Sequence, residues 1–169
     1  PAEQHMDVNS VHHVLIQGNI FFNDYAGSGR TSPGDGKHFI VIKDSNGPED
    51  RLVGSRLVTV RNNVFLSWQG GIEAFVKTGN DGKAYYEARD ILIENNLMLG
   101  DGLDQVDSPF SVRGAKDVTF RNNTITGDLP SNAYAVRIAL AEDNPINQNI
   151  FFYNNIWSDP TGTMGADGL

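Results

Sequence analysis

The chain has no cysteine, only two tryptophans, and little positive charge: 13 Lys and Arg stand against 21 Asp and Glu in 169 residues. The missing cysteine excludes a disulfide framework, a thiolate zinc site and a cysteine nucleophile. A formal charge of −8 argues against a general nucleic-acid binder, which carries a basic footprint. No apolar run approaches the roughly 18 residues of a membrane helix, and no signal-peptide pattern opens the chain. What is abundant is glycine and asparagine, 18 and 17 residues. Both types tolerate left-handed backbone, so the composition predicts many turns. The length suits one domain.

Five segments align without gaps: Val14 to Phe21, Val58 to Phe65, Ile91 to Met98, Val118 to Ile125 and Ile150 to Trp157. The aligned asparagines are Asn19, which follows Gly18, and the second members of four Asn pairs, Asn63, Asn96, Asn123 and Asn155. Five residues before each stands Val or Ile, three before stands a β-branched or aromatic residue, and two after stands Phe, Met, Ile or Trp. Alternation with period two is a strand signal, and the asparagine marks a turn. No apolar stripe of helical period survives beyond a turn. A further short strand precedes each unit, around Met6–Asn9, Ile40–Lys43, Ala74–Lys77, Phe110–Arg113 and Val136–Ala139. A strand–turn–strand unit recurring every 27 to 44 residues predicts a solenoid of five coils. Residues 1–160 form this domain, 161–169 a flexible tail, and the whole reads as a piece of a longer secreted parent.

The repeated units resemble those of the right-handed, single-stranded parallel β-helix of the pectate-lyase-like superfamily. The resemblance covers nearly the whole chain. It implies that the five asparagines stack into a ladder, each amide hydrogen-bonding to the next coil. It also implies an extracellular, bacterial-type, polysaccharide-interacting protein with its site on the outer face of the strand before the turn. The fold alone does not decide function.

Placing Met6/Val8, Ile40/Ile42, Ala74/Val76, Phe110/Val112 and Val136/Ile138 inward leaves three outward columns. One runs His5, Phe39, Glu73, Pro109, Ala135; the next Asp7, Val41, Phe75, Ser111, Arg137; the third Asn9, Lys43, Lys77, Arg113, Ala139. Three cations on consecutive coils repel, and an extended polyanion lying across them would relieve that repulsion. Uronic-acid polysaccharides have the required charge and shape. The resemblance to lyases of this fold implies a Lys base with an Arg beside it, and calcium as an ion that neutralises the substrate carboxylate. By position, Lys77 is the base and Arg113 the acid or carboxylate clamp, with Lys43 holding a neighbouring subsite. Arg137, Trp68, His5 and Asp7 complete the substrate-binding set.

His5 and Asp7 share a strand face and could orient an imidazole, a loose similarity to uronan C5-epimerases. A zinc site from His5, His12, His13 and His38 is not expected, because the ligand spacings are wrong. The acidic loop Asp101–Asp107 reads as solvated, and Asn80-Asp81-Gly82 with Tyr85-Tyr86 reads as a hairpin tip. Trp157 falls in an inward column and reads as core. The alternative to an enzyme is a non-catalytic structural or adhesive module that associates end to end through uncapped coils, with no nucleic-acid partner and no membrane span.

Overall fold

The computed structural model describes residues 4–22, 38–47, 53–66, 72–101, 106–128 and 134–159. Each coil contributes three strands. The first holds β1 (Gln4–Asn9), β2 (His12–Gln17) and β3 (Ile20–Phe22); the second β4 (His38–Lys43), β5 (Ser55–Arg61) and β6 (Val64–Leu66). The third holds β7 (Ile72–Thr78), β8 (Ala88–Glu94) and β9 (Leu97–Asp101); the fourth β10 (Val106–Arg113), β11 (Ala115–Arg121) and β12 (Thr124–Asp128). The fifth holds β13 (Val136–Ala139), β14 (Gln148–Tyr153) and β15 (Ile156–Ser158). Every third strand pairs in parallel, giving three five-stranded sheets: β1-β4-β7-β10-β13, β2-β5-β8-β11-β14 and β3-β6-β9-β12-β15. This is a parallel β-helix of five coils, with no helix among the described residues.

The inward columns of the repeat are the core. Val58, Ile91 and Val118 are in register along the second sheet, as are Val60, Ile93 and Phe120, and all six are buried. In the third sheet Phe65, Met98 and Ile125 form the matching inward column. Aromatic rings stack along these columns, Phe21 on Phe65 at 4.9 Å and Phe120 on Phe152 at 4.8 Å. Such contacts add to the stabilisation that comes from area burial. Trp157 packs edge-on against Phe110 as a partly buried neighbour of the core.

The ladder divides the work of each Asn pair. The left-handed residue is the one before the ladder asparagine: Gly18, Asn62, Asn95, Asn122 and Asn154, with φ between 51° and 69°. The ladder asparagine itself faces its neighbours. Asn63 Oδ1 accepts from Asn19, Asn96 Oδ1 from Asn63, Asn123 Oδ1 from Asn96 and Asn155 Oδ1 from Asn123. Each lower amide also donates back to a strand carbonyl of the preceding coil, at Ile16, Val60, Ile93 and Phe120. The expectation that one asparagine both turns the chain and bridges the coils is thus corrected: the two members of the pair split these roles.

The second sheet carries a further break in every strand. His13, Leu57, Asp90, Asp117 and Asn149 all have φ between 54° and 59° and drop out of the pairing register. Asp and Asn adopt this conformation readily, whereas Leu meets a penalty of roughly 1–2 kcal/mol. Leu57 is also exposed. Leu57→Asn is therefore expected to raise stability by about 1 kcal/mol, measured as a higher denaturant midpoint. A lower midpoint would mean that the leucine side chain contributes more than its backbone costs.

Candidate functional site

The first sheet holds the residues that the sequence singles out, but in a different register. Asn9 pairs with Lys43 as expected. Lys77 pairs with Val41 on one side and Ser111 on the other, not with Lys43 and Arg113. The third column is interrupted by Gly79, which follows Thr78, the partner of Ile42 and Val112. The three-cation column expected on this face is therefore corrected to two cations flanking a glycine. Gly79 has φ +74°, and a Cβ there would lie 1.6 Å from the Arg113 carbonyl oxygen, so no side chain can stand in that place.

The first two outward columns need a second correction. Phe39 and Phe75 are fully buried and stack on each other at 5.5 Å inside the core, beside Phe65. Their neighbours Ile40 and Val76 are core residues too, so two consecutive side chains enter the core in each strand. The period-two alternation breaks there. Four residues of straight strand span roughly 13 Å, and the break is what lets Glu73 meet Lys77.

Glu73 is the hub of the resulting cluster. Its carboxylate lies 3.2 Å from Lys77 Nζ, 3.3 Å from His38 Nε2 and 3.8 Å from Arg113 Nη2. The hydrogen bond from His38 is the largest influence on the carboxyl group. With the Lys77 charge beside it, that bond holds the group well below the usual carboxylate range, against burial, which pushes the other way. Lys77 is 2% exposed. Burial drives its ammonium pKa down; Glu73 pulls it back up, while Arg113 and Arg137 push it down again. The net direction is down. Around it lie buried polar atoms with no hydrogen-bond partner: the hydroxyls of Ser108 and Ser111 and Nε of Arg113.

The remaining candidates surround this hub without joining it. Lys43 Nζ bridges Asp7 at 3.5 Å and Asp81 at 3.4 Å. Burial raises the Asp81 pKa, but hydrogen bonds from Ser45 and Asn80 and the Lys43 charge outweigh it and leave it lowered. Arg137 reaches Asp107 at 3.6 Å, and His5 packs its ring edge-on against Phe39 at 4.8 Å. Asp7 therefore engages Lys43. Trp68 and most of the acidic loop, residues 102–105, lie outside the described residues. No group of three or more His, Asp or Glu side chains among the described residues could hold a metal ion.

The expected hairpin at Asn80 to Tyr86 is instead an irregular arm wrapped on a buried carboxylate. Glu87 accepts from the backbone amides of Asn80, Asp81 and Lys83 and from the Asn144 side chain. That arm carries Asp81 to Lys43 and so shapes one edge of the face. The cluster is a buried amine of lowered proton affinity and a guanidinium that share one carboxylate, Glu73. His38 and the central position of Glu73 escape a reading of strand spacing, because both depend on the break at Phe39 and Phe75. Comparison with protein-family models, with curated proteins and with solved structures returned no match.

Proposed function

We propose that the outer face of the first sheet binds an anionic, uronic-acid polysaccharide outside the cell or at its surface, and cleaves or epimerises it. The observation that carries this reading is Lys77: a nearly buried amine whose proton affinity is lowered, 3.2 Å from a carboxylate that also touches Arg113 and His38. Buried, shifted groups at a charged face are what proton-transfer sites require. In this reading Arg113 clamps the substrate carboxylate, whose negative charge otherwise opposes loss of the neighbouring C5 proton. Lys77, in its deprotonated form, takes that proton. The C5–H electron pair forms the C4–C5 double bond as the C4–O bond breaks, and the leaving oxygen takes a proton from water. Returning a proton to the opposite face of C5, with the C4–O bond intact, gives epimerisation instead. Lys43, Arg137, His5, Asp7 and Trp68 are assigned to neighbouring sugar units. No step is routed through calcium. The right-handed hand and the pectate-lyase-like kinship of the β-helix belong to the same proposal.

The test is a panel of alginate, pectate and chondroitin, followed by the absorbance of unsaturated product and, in heavy water, by NMR for deuterium at C5. Unsaturated product or C5 deuterium on any of the three supports the reading. Binding with neither signal across the panel would reduce the protein to a binding module.

A second reading, a structural module that associates end to end, is favoured by the fifth coil. Ile138 is in register with core Val112, yet it is 54% exposed. Light scattering that grows with concentration would support this reading, and a monomer at all concentrations would oppose it.

A further inference from the structure

The second sheet, one turn around the coil from Glu73, carries the cation column that the first sheet lacks. Arg56 pairs in register with Arg89, and Arg89 with Lys116; His12 and Gln148 extend the column at its two ends. Three cations thus stand on consecutive coils, each about 4.8 Å from the next. Like charges directly opposite one another are destabilising.

The column is also unneutralised. Of the ten Lys and Arg residues among those described, Lys43, Lys77, Arg113, Arg121 and Arg137 each have a carboxylate within 4 Å. Arg56, Arg89 and Lys116 have none among the described residues, although Asp90 and Asp117 are the next residues in the chain. Asp117 instead accepts from Asn149 at 2.6 Å. Arg56 Nε donates to His12 Nδ1 at 3.2 Å, a neutral partner, and Arg89 spends one donor on the Val53 carbonyl while its buried Nε has no partner. Arg61 and Lys83, the other two described cations without such a carboxylate, stand singly: Arg61 lies in register between Gln17 and Glu94, and Lys83 is outside the strands. Arg56, Arg89 and Lys116 stand together in one column, and Arg89 keeps an open donor.

We propose that Arg56, Arg89 and Lys116 form a binding site for a linear acidic polysaccharide running parallel to the solenoid axis. The charges are in single file with one step per coil, which suits a polymer bearing one anionic group per unit. The flanking Asp90 and Asp117 and the overall negative charge disfavour the denser phosphates of nucleic acid. The site is independent of proton transfer at Lys77. It would hold the polymer while another stretch of it reaches the first sheet, raising the local concentration there without adding any contact to the reacting sugar.

The test is NMR of the Arg56 and Arg89 Nε–Hε groups during titration with polygalacturonate, alginate and chondroitin sulfate at fixed salt, with single-stranded DNA as a fourth arm. Saturable shifts with at least one polysaccharide are expected. The triple variant Arg56→Gln/Arg89→Gln/Lys116→Gln should bind at least tenfold more weakly and with a shallower salt dependence, whereas Lys77→Met keeps this binding. Lys116→Gln alone is the control for folding, since the Lys116 side chain makes no hydrogen bond or ion pair with the described residues; it should weaken binding about threefold. Unmoved arginine resonances, wild-type affinity in a folded triple variant, or tighter binding of DNA than of every polysaccharide at equal salt would each overturn the proposal.

Discussion

Asn96→Ala is expected to cost at least about 4 kcal/mol, a large part of the roughly 5–15 kcal/mol that holds a domain of this kind folded. The side chain is 2% exposed and lies at the middle of the ladder. Its Oδ1 accepts from both the backbone amide and the side-chain amide of Asn63, at 3.0 Å each. Its Nδ2 donates to the Val60 carbonyl and to Asn123 Oδ1. Alanine removes all four bonds and strands two Asn63 donors and the Val60 acceptor in a dry interior. A buried polar group left without a partner costs about 1–3 kcal/mol. Asn19→Ala is the contrast. That residue is exposed, its Oδ1 accepts no hydrogen bond from the described residues, and after the change the backbone amide of residue 19 still donates to Asn63 Oδ1, so its loss is expected to stay near 1 kcal/mol. Denaturant midpoints measure both. Equal losses would mean that the ladder adds nothing beyond local turn formation. Asn96→Asp separates shape from donor count: the carboxylate sets an oxygen against Val60 O and Asn123 Oδ1. Its burial raises its pKa, so this variant should regain stability as pH falls and the group protonates.

The same ladder explains why some of the molecule was legible in the sequence. From the second strand of each coil to the third, the repeat has no gaps, so the ladder asparagines, the inward columns and the turn all follow from period two and a fixed offset. The cation column of the second sheet sits in this gap-free register, seven residues before Asn63, Asn96 and Asn123 at Arg56, Arg89 and Lys116. It lies two residues before the aligned segments, outside the span in which the asparagines and apolar positions repeat. The first sheet has no such anchor. Turns of unequal length join it to the second, nine residues from Gly79 to Glu87 in the third coil against one, Gly114, in the fourth. Aligning Val76 with Ile42 rather than with Ile40 moves Lys77 one column sideways. Alternation keeps the face correct under a two-residue shift, which is why Lys77 and Arg113 still meet, through Glu73 rather than directly. The inward turn of Phe39 and Phe75 has no local signature, because an aromatic residue suits either face of a strand that is buried on both sides.

Lys77→Met should lower turnover of a responsive polyuronate by about 10²–10⁴-fold, the usual contribution of a positioned base, while leaving the fold as stable as before or more so. The stability half follows from burial. Lys77 is 2% exposed, and desolvation outweighs the pull of Glu73, so its proton is held less tightly in the folded chain than in the unfolded one. The unfolded chain then binds more protons between the lowered pKa and about 10.4, and wild-type stability rises with pH across that window. Methionine has no proton to bind, so its curve lacks this alkaline rise. Removing one member of a buried ion pair is destabilising where the other charge is left uncompensated, and here Glu73 keeps His38 and Arg113. Glu73 shapes the acid side. Its pKa is depressed, through the His38 hydrogen bond first and the Lys77 charge after it, so its contribution is complete above the usual carboxylate range. That contribution is lost as pH falls below the range. In Lys77→Met the carboxylate keeps His38 and Arg113 but loses its 3.2 Å partner, so the acid-side loss becomes smaller. Wild type therefore gains on the variant as pH rises at both ends, and chemical denaturation across pH reads this difference directly. A variant that unfolds at neutral pH would make Lys77 a structural cation. A folded variant with full turnover would remove it from the chemistry. Lost turnover with retained stability is the combination expected of a base held at an energetic cost.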